Sequence, residues 1–465
     1  MMESVLSIGH LNVKAKMVFF KKNDILEIQI TSLGSSGEGV GHKEGFTVFV
    51  DGALPGEFVK ARLSLVKKKY AIATLINITT KSSKRVTPIC PLFSKCGGCQ
   101  IMHLSYDGQL EVKRQKVIDA IERIGHFIGI KVEKCIPSPL SFHYRNKAQL
   151  PATVIDKRLQ LGFYEKKSHN IVPVDHCYIH CDIGQTSYTK IKKILQDSGI
   201  EVFDPATNQG SLKYLIIKSA IYSKESLVIL VSTGKEKRKY DEVANKILDE
   251  CKEVKGVVLN INREVTNTIT GDEWNCLAGT PYIYETLLGL KFKISPASFF
   301  QVNPQQAENL YQKVIEKAGI DSSTRVLDVY CGVGTLSILT AQFAKEVIGI
   351  ECVKQAIEDA EENAKKNNIK NCRFFCGKAE NLISNYTNVD IVILNPPRKG
   401  CEPEVLESLL KSNPKSILYI SCDPATLARD LSILCQSKYS IDFVQPFDMF
   451  PQTMHVETIV KLNLR

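Results

Sequence analysis

The chain has 465 residues, 44% of them hydrophobic, enough to bury substantial cores and to build about two to four domains. Its 60 Lys and Arg against 50 Asp and Glu leave a net charge of +10, which is compatible with a polyanionic partner and establishes none. No run of about 18 apolar residues exists to span a bilayer, and "MMESVLSIGHLNVKAKMVFFKK" lacks an apolar segment followed by a small-residue cleavage site, so the expected location is the cytoplasm, with no membrane partner.

From Asp24 to about Ile78 the runs "ILEIQIT", "FTVFV", "EFVKARLSLV" and "YAIATLINI" read as short strands, separated by the Gly-rich "LGSSGEGVGHKEG" and the turn "GALPGE". That spacing predicts a small OB-like β-barrel, and the basic cluster beside Tyr70 is the kind of surface that meets RNA, or equally a solvated hairpin. A cysteine-bearing link, Cys90 to Cys99, leads into "YDGQLEVKRQKVIDAIERIG", where Leu110, Val117, Ile121 and Ile124 fall near helical spacing. From about Lys131 to Thr280, strand-like runs such as "KYLIIKSAIY", "ESLVILVST" and "GVVLNIN" alternate with one helix, "YDEVANKILDECKEV", predicting a central α/β domain. From about Lys293 strands and helices alternate regularly, "VLDVY", "VIGIE", "CRFFCG", "VDIVILN", "SILYISC" and "HVETIVKL", which implies a largely parallel, doubly wound sheet. The expected division is 1–80 for an N-terminal extension and barrel, 81–290 for the cysteine segment and central domain, and 291–465 for the doubly wound domain. A helix over about 107–124 is expected to pack on that last domain. The 15 cysteines, an odd number without a secretion signal, argue against a disulfide framework. Cys352, Cys372 and Cys435 lie in helical or strand patterns and read as buried fillers.

"VLDVYCGVGTLSI" is a strand, a glycine turn and a helix start, in which Gly332 and Gly334 let the backbone approach a ligand at the helix N-terminus. Glu351 ends the next strand, 23 residues after Asp328, where a carboxylate can accept from ribose hydroxyls. The shape Asp-x-x-Cys-Gly-x-Gly-Thr resembles the S-adenosylmethionine site of class I methyltransferases more than the Gly-x-Gly-x-x-Gly of a dehydrogenase. Later strand ends carry "NPPRKG" from Asn395, "SCDPATLARD" around Cys422, and "MFPQTMHVETIV" with Glu457. In a doubly wound sheet these ends face the cofactor cleft.

A thiol beside a methyl donor suits uracil. Carbon 5 of that ring is a poor nucleophile until a thiolate adds to carbon 6, and a base must then remove the carbon 5 proton so that the thiol leaves. Cys422 is the candidate nucleophile and Glu457 the candidate base. The plainer readings are a buried cysteine and a strand glutamate.

"SPASFFQVNPQQAENLY", "VLDVYCGVGTLSI", "NPPRKG", "ISCDPATLARD" and "MFPQTMHVET", in this order, resemble the RNA uracil-5-methyltransferase family over almost the whole chain. The resemblance implies a TRAM domain for the barrel and the 23S ribosomal RNA branch, which carries an iron-sulfur segment. It makes Cys422 the nucleophile and Glu457 the base, and gives Gln301, Tyr330, Glu351 and Asn395 the cofactor-binding positions. It also implies a [4Fe-4S] cluster. Cys90, Cys96 and Cys99, spaced C-x5-C-x2-C, are strong metal-ligand candidates, and an all-thiolate set suits such a cluster or zinc. The resemblance selects Cys177 over Cys181 as the fourth ligand. The expected enzyme is thus a monomeric methyltransferase making 5-methyluridine in 23S ribosomal RNA, or alternatively in transfer RNA.

One departure opens two rivals. Asn395 stands where the family has Asp, and an amide supplies hydrogen bonds but no negative charge. Asn-Pro-Pro also occurs in base N-methyltransferases, although those need neither a thiol nor Glu457 and continue with an aromatic residue rather than Arg398. The other rival is an RNA-binding homologue that has lost activity.

Overall fold

The computed structural model describes residues 20–266 and 268–465, in two units that part between Arg85 and Val86. The extension expected ahead of the barrel lies outside the described residues up to residue 19.

The first unit is a closed barrel of β1 (Ile25–Leu33), β2 (Gly39–Lys43), β3 (Phe46–Asp51), β4 (Phe58–Val66) and β5 (Tyr70–Thr80), in the order β1-β2-β3-β5-β4. Alternate residues, Ile28 and Ile30, Val48 and Val50, Val59, Ala61 and Leu63, fill its interior. β2 falls inside the stretch that reads as a glycine-rich separator. The glycines are there because the strands pack too closely for a side chain: a Cβ on Gly41 would stand 2.5 Å from the Gln29 carbonyl oxygen. Lys67, Lys68, Lys69 and Tyr70 are all exposed at the β4–β5 turn.

The second unit begins its regular structure with α1 (Tyr106–Arg123). A seven-stranded sheet follows, built from β6 (Lys147–Ile155), β7 (Arg158–Tyr164), β8 (Ile171–Pro173), β9 (Leu212–Ala220), β10 (Glu225–Ser232), β11 (Val254–Ile261) and β12 (Glu273–Gly279). Its helices are two, α2 (Asp182–Asp197) and α3 (Lys237–Glu250), where the sequence pattern gives one. The hydroxyl and β-branched residues of "QTSYTK" mask α2, whose helicity comes from burying Tyr188, Ile191, Ile194 and Leu195 against the sheet.

A hairpin, β13 (Ile283–Leu287) and β14 (Leu290–Ile294), and α4 (Pro304–Ala318) lead into the last sheet. It comprises β15 (Arg325–Val329), α5 (Thr335–Ala341), β16 (Glu346–Glu351), α6 (Lys354–Lys366), β17 (Cys372–Cys376), α7 (Ala379–Leu382), β18 (Ile391–Leu394), α8 (Pro403–Ser412), β19 (Ser416–Ser421), α9 (Pro424–Ser437), β20 (Tyr439–Phe447) and β21 (Glu457–Leu464). The order is β17-β16-β15-β18-β19-β21-β20, parallel as far as β19, with β21 antiparallel between β19 and β20. β20 is an edge strand whose Asp442, Gln445 and Pro446 break the alternation that would have revealed it, and the edge is where a proline is tolerated. The strand order reverses between β15 and β18, which sets a ligand crevice beyond their carboxyl ends.

One apolar core runs from the central sheet (Ile216, Leu227, Ile229) through the hairpin (Ile283, Phe292) to the last sheet (Val326, Val347, Ile393). On the opposite face, Val117 and Ile121 of α1 pack with Leu427, Leu431 and Leu434 of α9. Lys113 of α1 forms a wholly buried ion pair with Asp448 and donates to the Phe450 carbonyl (3.0 Å), so α1 anchors the loop between β20 and β21. Replacing Lys113 by Met strands the Asp448 carboxylate, and urea unfolding is expected to show a loss of about 3–5 kcal/mol. Among the described residues no helix is long and apolar enough to cross a membrane.

Candidate active site

The turn after β15 is held by unusual backbone. Tyr330 has φ 70°, left-handed for a residue with a side chain, and Gly332 and Gly334 follow at 56° and 75°. A Cβ on Gly332 would meet nothing within 4 Å, so the backbone there borders open space, whereas one on Gly334 would strike Ala360 and Phe374 at 2.9 Å. The turn lines a cavity of about 50 Å³ together with Gln301, Asp328, Tyr330 and Asn395. Glu351 ends β16 beside it, accepting from the N–H groups of Gly332 (3.2 Å), Cys352 (2.8 Å) and Val353 (3.0 Å). Asp328 is buried, which pushes its carboxyl up to about 7, against a hydrogen bond from the Ser337 hydroxyl and helped by the charge of Glu351.

Gln301 is fixed from below. Asn146 donates to its carbonyl (3.1 Å), and buried Lys218 of β9 donates to the carbonyls of Ser295 (2.9 Å) and Ser298 (2.7 Å). The hydroxyls of those serines in turn bind Asp359 of α6.

Cys422 immediately follows β19 and precedes Asp423, the N-cap of the 14-residue α9. The Asp423 carboxylate accepts from the N–H groups of Ala425 (2.8 Å) and Thr426 (3.2 Å), and Ser421 bonds both the N–H (3.1 Å) and the carbonyl (3.0 Å) of Asp423. The thiol therefore sits on a braced strand-to-helix turn, near the positive end of a helix dipole. The same helix pins the Asn395–Gly400 loop: Thr426 donates to the Arg398 carbonyl (3.2 Å) and Arg429 to the Lys399 carbonyl (2.9 Å).

Glu457 opens β21. In the β19–β21 ladder Ser421 is opposite Thr458, so the next step of the register sets Cys422 beside Glu457. Glu457 is only 3% exposed, and burial pushes its carboxyl up to about 8 against the pull of Arg398. Burial pushes the Cys422 thiol up to about 11; the charge of Glu457 adds to this and Arg398 opposes it. His455 is driven down to about 4 by burial and by Arg398, Lys116 and Lys113, so it is neutral at pH 7. Tyr311 of α4 stands near Gln301 and within the fields of both Asp328 and Glu457, between the cofactor side and the thiol side. Tyr311 carries no sequence signal beyond its place in α4, and Arg398 enters the sequence reading only as a motif residue.

Cys90, Cys96, Cys99 and Cys177 line one larger cavity of about 340 Å³, which Arg398 and His455 also line. Cys181 is not among its lining residues; it is buried at the N-terminus of α2. All of these thiols are free, and among the described residues no three His, Cys, Asp or Glu side chains converge so as to hold a metal ion. Cys435 is buried and Cys372 half-buried, but Cys352 is exposed rather than a filler, because it follows the last residue of β16 and turns its thiol to Glu351 (3.2 Å).

The fold and cleft are those of a class I methyltransferase. Residues 105–465 match the tRNA (Uracil-5-)-methyltransferase family and residues 15–76 the TRAM domain, and the chain belongs to that methyltransferase family. It is 41% identical over 454 residues to an uncharacterized RNA methyltransferase of Clostridium acetobutylicum, covering 96% of this chain and 99% of that one. It is 43% identical over 437 residues to another from Caldanaerobacter subterraneus, covering 93% and 96%. The crystal structure of Pyrococcus abyssi tRNA (uracil-54, C5)-methyltransferase in complex with S-adenosyl-L-homocysteine superposes with a TM-score of 0.76 at 29% identity, over 94% of this chain and 100% of that one. The chain is an RNA methyltransferase using S-adenosylmethionine, and the open face of Gly332 with Glu351 beside it fits that cofactor.

Proposed function

We propose that the enzyme methylates carbon 5 of a uridine in RNA, with 23S ribosomal RNA as the first substrate and transfer RNA as the second. The adjacency of Cys422 and Glu457 at the ends of β19 and β21 carries this reading. A uridine must first leave its stack, because neither face of carbon 6 is open to a thiol inside a helix. The Cys422 thiolate adds to carbon 6, favoured by the α9 N-terminus and by Arg398. S-adenosylmethionine, when bound, supplies an electrophilic methyl group to carbon 5. Gln301, Tyr330, Glu351 and Asn395 hold it, Glu351 accepting from the ribose hydroxyls and Asn395 bonding through its amide without a charge. Glu457 then takes the carbon 5 proton, and Cys422 leaves.

The observation favouring transfer RNA is the Pyrococcus abyssi neighbour, a transfer RNA enzyme by its description. Both substrates are tested together by incubating each RNA with the protein and labelled donor and analysing the nucleosides by mass. 5-Methyluridine is the expected product, from 23S RNA in preference to transfer RNA. A base methylated on nitrogen, or no product from either RNA, overturns the reading.

Cys90, Cys96, Cys99 and Cys177 are assigned to a [4Fe-4S] cluster. The four line one cavity, and an all-thiolate set of this kind suits such a cluster, with zinc as the alternative. Anaerobically purified protein should be brown and hold about four irons per chain by elemental analysis; colourless protein with one zinc would falsify the assignment. The same reading has the enzyme act as a monomer in the cytoplasm.

A further inference from the structure

Cys352 and Cys376 are both exposed and both free, and they meet at the rim of the cofactor cleft. Cys376 ends β17, where the parallel register sets it opposite Glu351, the residue immediately before Cys352. The Cys376 thiol lies 3.8 Å from the Cys352 carbonyl, and the Cys352 thiol is close enough to feel the charge of Cys376. With strands about 4.8 Å apart and a rise of about 3.3 Å per residue, the Cα of Cys352, one residue beyond the position opposite Cys376, stands roughly 6 Å from that of Cys376, within the about 4.4–6.8 Å of a disulfide. The remaining surroundings make a bridge consequential. The Cys352 thiol and N–H both bind Oε1 of Glu351, and Lys399 of the Asn395–Gly400 loop stands within reach of the Cys352 sulfur.

We infer that Cys352 and Cys376 form a reversible disulfide that closes the adenosine end of the cofactor cleft when the protein meets a small-molecule disulfide; this rests on the reading of Glu351 as the ribose ligand. The Cys376 thiolate attacks one sulfur of the small disulfide and expels one thiol. The Cys352 thiolate then attacks the Cys376 sulfur and expels the second. The two protein thiols lose two electrons and two protons, and the small disulfide departs as two thiols. Bridging pulls the Cys352 sulfur from Glu351 toward Cys376 and drags with it the N–H that holds the Glu351 carboxylate in place. The cleft loses both its shape and its oriented acceptor.

The test treats the full-length protein with oxidised glutathione, maps disulfides by mass spectrometry of its peptides, and titrates S-adenosylhomocysteine calorimetrically. A Cys352–Cys376 peptide pair is expected. When about nine-tenths of the protein is bridged, the number of S-adenosylhomocysteine molecules bound per chain should fall about tenfold, and dithiothreitol should restore it. Cys376→Ser should keep the reduced protein's binding stoichiometry under the same oxidant, which separates this pair from the cysteines of the larger cavity. Absence of the peptide pair, or bridged protein that binds as reduced protein does, overturns the inference. Reduced protein that does not bind S-adenosylhomocysteine overturns it together with the reading of the cleft.

Discussion

Cys422→Ala is expected to abolish methyl transfer, by about 10⁴-fold or more, while S-adenosylhomocysteine affinity stays within about twofold of wild type. The split follows from where the side chain sits. Its sulfur follows β19 on the thiol side of the site, whereas the cavity of Gln301, Tyr330 and Asn395 lies beyond β15 and β18. The Asp423 cap and the Ser421 hydroxyl that brace the turn do not involve the thiol, so alanine leaves the backbone intact. The wild-type enzyme makes the complementary experiment possible. RNA carrying 5-fluorouridine has no proton to lose from carbon 5, so it should stay attached to wild type through denaturing electrophoresis and never to Cys422→Ala. A variant that still turns over near the wild-type rate, or wild type that gives no adduct, removes the thiol from the reaction.

The doubly wound sheet was legible because its strands are apolar runs cut by glycine turns and amphipathic helices, a pattern with little else to become. What stayed hidden has physical causes. β2 was hidden by Gly39 and Gly41, present to let strands approach closely, and α2 by hydroxyl residues whose weak helix preference is overridden by burial. β20 was hidden by its edge position. The glycine turn could be read because its chemistry is local, whereas the left-handed Tyr330 in front of it has no compositional mark. Cys422 and Glu457 are separated by a helix, an edge strand and a long loop. Only the insertion of β21 antiparallel against β19 brings their positions together. Tyr311 and Arg398 belong to this non-local class too: their role is visible only as charges and hydrogen bonds converging from α4 and from the loop that α9 pins. Cys352 shows the converse error, since a cysteine just past an apolar strand looks buried until the strand end proves to be the surface.

Glu457→Gln should divide the reaction in two. The amide has nearly the shape of the carboxyl and cannot accept the carbon 5 proton, so addition and methyl transfer proceed and elimination stalls. Methylated RNA should therefore accumulate covalently on Cys422 with ordinary uridine, visible as a shifted band containing both labelled methyl and RNA. The acidity of Glu457 supplies a second readout. Burial holds its carboxyl near 8, and only the ionised form is a base, so wild-type turnover should rise as pH climbs through about 8. Stability runs the opposite way. A carboxyl raised from 4.5 to about 8 on folding contributes fully below the unfolded value and loses that contribution as pH rises through the folded one. Wild type should thus weaken as pH rises from about 4.5 to about 8 in urea titrations, while Glu457→Gln, with no proton to lose there, should not. Together the two profiles separate the base from a merely buried side chain. If Glu457→Gln turns over at the wild-type rate without an adduct, the proton goes elsewhere, and neutral His455, two residues upstream in the loop that leads into β21, becomes the group to replace next.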